Sequence, residues 1–273
     1  MMRFVKQART AISMLKPDEV RKRADRPLNI GLIASTESGY SEMERVLGSR
    51  EGVHRASDPN PPNEVDLVFY EPGISPDDQN ACTLDPRDPE ALVDTFMNRH
   101  EELALPLARQ FPGLRKCVVE RIVHAIAREN ALFALATALP NVVPNLIELP
   151  WAFGEFASDT AFLTANQVRM AFLIAAACGH EVGFSHQKAE VVSIVGGAFG
   201  WRALARELAG KIPLGGGLIP KGAIAYAGTF AVGKGLEYYH HTNRHYTADE
   251  SQSVYRQAFE RGRQVAESAA NPR

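Results

Sequence analysis

The residues of this chain with the clearest chemical potential lie in Ala34-Ser35-Thr36-Glu37-Ser38-Gly39-Tyr40-Ser41, between an apolar run and a helical pattern. A loop joining a strand to a helix can surround a phosphate when glycines let backbone N–H groups approach it. It also needs a lysine for the β- and γ-phosphates and a Ser or Thr hydroxyl for Mg²⁺. Gly39 and Ser41 stand where such a loop wants them and are the candidate nucleotide-binding residues. Ala34 replaces the first glycine, Tyr40 replaces the lysine, and Glu37 adds a negative charge to a loop meant for an anion. A second candidate is Glu237, His241 and His245, spaced i, i+4, i+8, which on one continuous helix could share a face and bind Zn²⁺. Histidines near a helix C-terminus also serve simply as partners of the helix dipole, and Thr242-Asn243 marks a place for the helix to fray. No Ser-His-Asp ordering or Gly-x-Ser-x-Gly elbow occurs, so no catalytic residue is nominated and no cofactor is expected.

The elements that would position the loop lie in residues 27–110, which read as a small α/β unit. Leu28–Ala34 and Val65–Tyr70 are expected strands, and Ser41–Leu47 begins a helix. Asp88-Pro89-Glu90 is a helix start, with a capping carboxylate, Pro in the first turn and an acid behind it; that helix is expected to reach about Gln110. Phe69-Tyr70-Glu71-Pro72-Gly73 resembles the Asp-Thr-Pro-Gly turn of small GTPases, with Tyr70 in place of the Mg²⁺-linked aspartate. No Asn-Lys-x-Asp guanine-reading motif is present. Two decayed motifs in order, each after a strand, resemble a truncated GTPase-like unit; a generic βαβ segment with ordinary turns is the alternative. Without the lysine and the acid, the charge stabilisation on which phosphoryl transfer depends is missing, so hydrolysis is not expected.

Residues 111–273 read as helical. Expected helices are Leu114–Leu139, Asp159–Cys178 stopped by Gly179, Ser185 to about Gly210, about Pro220–Tyr239, and a last helix opened by the Thr247–Glu250 capping box. Pro140, Pro144 and Pro150 break the chain between the first two, and Lys211-Ile-Pro-Leu-Gly-Gly-Gly is a turn. Val142-Val-Pro144, Gln167-Val-Arg-Met170, Lys211-Ile-Pro213 with Gly215–Gly217, Thr229, Gly233 and Tyr238-Tyr239 recur in a known order. On those residues, about 130–242 resembles the YcjF-type domain of unknown function, found C-terminal to bacterial Era/TrmE-like GTPases and in inner-membrane proteins. The resemblance implies a bacterial source and a GTPase-like unit ahead of the helices, and no activity, since the family has none established. The expected fold is mainly α with a small parallel α/β unit, divided into a basic N-terminal helix (1–26), the α/β unit (27–110) and a helical domain (111–273).

Charge and apolarity bound the partners. Net charge is −2 and nothing global points to nucleic acid. Residues 1–26 carry eight basic and three acidic side chains, with Phe4, Ala8, Ile12 and Leu15 on one helical face. Such a helix can dock on its own core or lie on an anionic membrane surface. Residues 58–102 hold twelve acids against Arg87 and Arg99, so the two segments could also neutralise each other. The block Lys211–Gly235 has three charges in twenty-five residues, and Ala223, Ala227 and Ala231 with Gly228 allow close helix approach, against a partner or a second copy. Lys221 and Lys234 enclose only twelve uncharged positions, short of the about 20 that a span needs, so a packed core is favoured over lipid insertion. Arg169, amid apolar neighbours, is expected to snorkel or to pair with an acid such as Asp159 or Glu155, and Glu120 and His124 to form a surface pair. Three widely spaced cysteines, Cys82, Cys117 and Cys178, fit a reducing compartment, and Cys117 and Cys178 read as core thiols. With no apolar h-region in Met1–Lys16, the expected location is cytoplasmic, or peripheral at the inner membrane.

Overall fold

The structure, a computed structural model, describes residues 10–56, 65–74, 81–137, 159–196 and 218–270. The expectations resting on Phe4, Ala8, Val142–Pro144, Glu155, the 197–210 part of the fourth helix and Lys211–Gly217 lie outside the described residues. Contacts divide the chain into two units, Asp18–Arg121 with Ala175–Val182, and Met1–Pro17 with Ile122–Ile174 and Gly183–Arg273. The fold is mainly α with one small parallel sheet.

The first unit holds that sheet. Its elements are α1 (Pro17–Ala24), β1 (Ile30–Ile33), α2 (Glu37–Leu47), β2 (Val53–Arg55), β3 (Leu67–Tyr70), β4 (Ala81–Thr83), α3 (Pro89–Arg99) and α4 (Ala104–Gln110). The strands are all parallel in the order β2-β1-β3-β4, with Ile30 opposite both Val53 and Leu67. The sequence expectation missed β2 and β4. Each is only three residues long, too short to show a period of two. Ile30 and Leu32 of β1 and Leu67 and Phe69 of β3 alternate inward and are fully buried with Met43 and Leu47 of α2 and Phe96 of α3.

Asp88 caps α3 as expected, its Oδ1 accepting from Ala91 N–H at 3.2 Å. The single helix expected up to Gln110 is corrected by the structure: it stops at Arg99, turns at His100 and restarts as α4. Pro106 is the reason. In an unbroken helix it would leave the Glu102 carbonyl without its donor; in α4 it falls in the first turn, where no donor is needed. Gln110 then serves the start of the sheet. Its Oε1 accepts from Leu28 N–H at 2.9 Å, and its Nε2 donates to the carbonyls of Leu28 and Glu51 at 2.8 and 2.7 Å. The unit runs past residue 110 into the next helix, α5 (Arg115–Ala136). There Arg121 pairs with Asp94 at 3.1 Å and donates to Asn98 Oδ1 at 3.1 Å.

The second unit is a helical bundle of the rest of α5, most of α6 (Asp159–Ala177), α7 (residues 188–196), α8 (Leu218–Thr242) and α9 (Ala248–Ala270). Gly179 ends α6 at φ 82°, with His180 N–H donating back to the Ala175 carbonyl at 2.9 Å. The Thr247–Glu250 capping box forms: Glu250 N–H donates to Thr247 Oγ1 at 3.3 Å, and Thr247 N–H to Glu250 Oε2 at 2.8 Å. Donation from the Thr247 N–H, and then from its hydroxyl at 2.9 Å, holds the Glu250 carboxyl below its ordinary range. Ala223, Ala227 and Ala231 are buried inside the chain, the last two in a cluster with Ala127 and Ala131 of α5 and Tyr255 and Ala258 of α9. The approach is close enough that a Cβ on Gly262 would lie 2.9 Å from the Ala223 carbonyl oxygen. Ala11, in a helical turn at residues 10–13, is buried with Ala161 and Ala165 of α6.

Candidate functional site

The β1–α2 turn folds as a helix start. Thr36 is extended at φ −140° and caps α2 by accepting from Gly39 N–H at 3.1 Å. Because β3 lies beside β1, the turn after β3 reaches the same crest: Glu71 N–H donates to the Ile33 carbonyl at 2.9 Å, one step beyond the ladder. In a doubly wound sheet whose first strand is flanked by the second and third, the crevice between the carboxyl ends of the first and third strands is where ligands bind.

Here that crevice contains a carboxylate of the chain itself. Ser35 N–H donates to Glu71 Oε2 at 2.7 Å, and the Glu71 carboxylate lies directly over Gly39. A Cβ built on Gly39 would sit 2.5 Å from Glu71 Oε1. The absence of a side chain at Gly39 lets an anion approach the helix start closely, and that anion is Glu71. Ser41 is exposed on α2.

The position expected to hold a lysine is spoken for differently. The Tyr40 ring lies under the Arg55 guanidinium, 5.2 Å from the ring centroid. Arg55 donates from Nε to Glu44 Oε1 at 2.6 Å and from Nη1 to Glu37 Oε1 at 2.5 Å, and Arg50 reaches Glu44 Oε2 at 2.6 Å. The Arg55 hydrogen bond is the main reason the Glu44 carboxyl is held below its usual range despite burial, and Glu44 in turn raises the guanidinium of Arg55. The Arg55 guanidinium beside Tyr40 is thus tied up by the carboxylates of α2.

The three proposed zinc ligands are not brought together. Glu237 is buried on α8 and paired with Lys234; His241 is exposed; and α8 ends at Thr242, with Asn243 at φ 54°. His245 lies beyond that end, its ring stacked on Tyr239 at 4.8 Å and 7°. Among the described residues no three His, Cys, Asp or Glu side chains form a metal-binding group.

A polar cluster in the helical bundle went unnoticed in the sequence. Asn130 of α5, wholly buried, donates to Thr229 Oγ1 of α8 at 2.7 Å and accepts from Asn166 Nδ2 of α6 at 2.9 Å. Gln167 donates to the same Thr229 oxygen at 3.4 Å. Arg169 pairs with Glu129 Oε2 at 2.5 Å, a carboxylate on α5. Met170 packs against Gly233, where a Cβ would come 3.0 Å from the sulfur. Gln167, Arg169, Met170, Thr229 and Gly233 all belong to the ordered motifs singled out above, so residues about sixty apart in sequence converge on one buried seam. His124 turns to the bundle: its Nδ1 meets Tyr226 Oη at 2.6 Å and its Nε2 meets Arg261 Nη1 at 3.2 Å. Arginine can only donate, so Nε2 accepts and Nδ1 carries the proton.

Cys82 is buried in the core, whereas Cys117 and Cys178, expected as core thiols, are only half-buried; desolvation pushes the thiols of Cys82 and Cys117 up. Comparison with known protein families, with curated proteins and with solved structures gives no match for this chain.

Proposed function

We propose that this chain is a non-enzymatic regulatory or scaffolding protein, a YcjF-type helical domain behind a decayed GTPase-like unit, acting through protein or membrane-surface contacts. The observation that carries this reading is the Glu71 carboxylate over Gly39: the crevice where a phosphate would be held already contains a negative charge from the chain itself. A ligand phosphate entering beside it would meet like-charge repulsion, with no lysine at position 40 to offset it. The convergence of the motif residues on the α5–α6–α8 seam supports the helical part of the reading. One described helix, with the window Thr160–Ala177, is long and apolar enough to cross a membrane, but 78% of that window is buried within the chain. Its polar groups bond to α5 and α8, which favours a surface contact over insertion.

Two assays test the reading. Phosphate release from GTP and ATP in the presence of Mg²⁺ should stay at the buffer rate; turnover that requires the folded chain overturns the non-enzymatic assignment. Flotation with anionic and neutral vesicles then locates the contact. Salt-sensitive binding to anionic vesicles, lost on removal of residues 1–26, identifies the basic N-terminal segment as a surface anchor. No flotation assigns the role to protein contacts, and salt-resistant binding by the truncated chain contradicts surface contact and indicates insertion.

A further inference from the structure

We infer that the helical bundle carries a binding site for a small organic cation, an ammonium head on a short apolar body, in a cleft between α7, α8 and the start of α9. The cleft has a volume of about 380 Å³, within the size range of small-ligand pockets. Its floor is apolar, from Ile194 on α7 and Ala231, Val232 and Leu236 on α8. Gly235 lies beside the Tyr246 ring, a Cβ built on it falling 3.8 Å from that ring, at ordinary contact distance.

Charge and ring chemistry together select the ligand class. Among the described residues lining the cleft, the only one with a formal charge at neutral pH, taking histidine as neutral, is Glu190 on α7. Among the described residues its half-buried carboxylate has neither a hydrogen-bond nor an ion-pair partner. The nearby Lys234 does not line the cleft and is held by Glu237. Three rings, Tyr239, His245 and Tyr246, complete the walls. They are held in place by stacking: Tyr239 on His245 at 4.8 Å, and Tyr246 on Tyr238 at 4.5 Å. The π faces of tyrosines attract a cation, an unpaired carboxylate wants a positive partner, and an apolar floor accepts methyl or methylene groups. An anionic ligand would face the carboxylate with no cation among the described lining residues to receive it, and a neutral apolar one would leave that carboxylate desolvated.

The test uses the full chain and choline as probe, titrated by calorimetry against its neutral carbon isostere, 3,3-dimethylbutan-1-ol. Saturable choline binding at least about tenfold tighter than the isostere is expected. Glu190→Gln and Tyr246→Leu should each weaken choline about tenfold or more while leaving the circular dichroism spectrum and melting unchanged. Glycerophosphocholine distinguishes the source of the head group: competition with choline points to a phosphodiester-linked head, and none points to a free ammonium, both upholding a cation site. Absence of saturable choline binding, equal binding of the isostere, or undiminished binding by a folded Glu190→Gln variant overturns the proposal.

Discussion

The carboxylate of Glu71 accepts a 2.7 Å hydrogen bond from the backbone N–H of Ser35 and lies over the Cα of Gly39. This one relationship joins the ends of β1 and β3, explains the glycine, and places a fixed negative charge at the start of α2, where the helix dipole favours it.

Two glycines in the same unit should respond differently to alanine. At Gly39 the new Cβ meets the tip of a flexible side chain, Glu71, which can swing away. At Gly113 it would come 1.6 Å from the backbone carbonyl oxygen of Val46, and neither helix end can yield without repacking. Gly39→Ala should therefore cost about 1 kcal/mol or less and Gly113→Ala about 3 kcal/mol or more, read from urea denaturation midpoints of the full chain. Equal losses would show that the Glu71 contact is as rigid as backbone.

Asn130 is the hub of the buried polar seam. Asn130→Leu leaves Thr229 with the longer bond from Gln167 at 3.4 Å and Asn166 with Glu129 at 3.3 Å, so it should destabilise by about 1–3 kcal/mol. Adding Thr229→Val removes one of the under-satisfied groups, and the double variant should lose less than the sum of the two single losses. Strict additivity would mean that the two residues do not act together.

The Arg55–Glu44 pair makes stability depend on pH with a definite sign. Glu44 is held below its ordinary value in the folded chain, so its stabilisation is complete above the unfolded value of about 4.3 and is lost as pH falls through the folded one. Arg55→Gln should be less stable than the parent at pH 7, with the gap shrinking as pH drops below about 4. A gap that is constant from pH 7 to pH 3 would assign the loss to packing against Tyr40 instead of to charge.

Much of the architecture was legible because it rests on local rules. The Asp88 cap, the Thr247–Glu250 box and the Gly179 stop are each set by a few adjacent residues. What escaped depends on distant partners or on elements too short to carry a pattern. Val53–Arg55 becomes a strand only because β1 offers it an edge, and Pro106 decides the restart of α4 from inside an apparently continuous helical pattern. Arg169 finds Glu129 forty residues away on another helix, a pairing that no spacing rule within α6 can give. For the candidate site, the sequence points to the β1–α2 turn around Gly39, but not to Glu71 standing beside it. That follows from β1 and β3 being neighbours, which the sheet order alone establishes.

The most direct test of the internal-anion account is calorimetric titration of the full chain with GTP and with ATP, with and without Mg²⁺. The account predicts no saturable heat for either nucleotide up to millimolar concentration, a free energy no better than about −4 kcal/mol. Saturable micromolar binding of either nucleotide would contradict it, because the Glu71 carboxylate would then have to leave the crevice for the ligand.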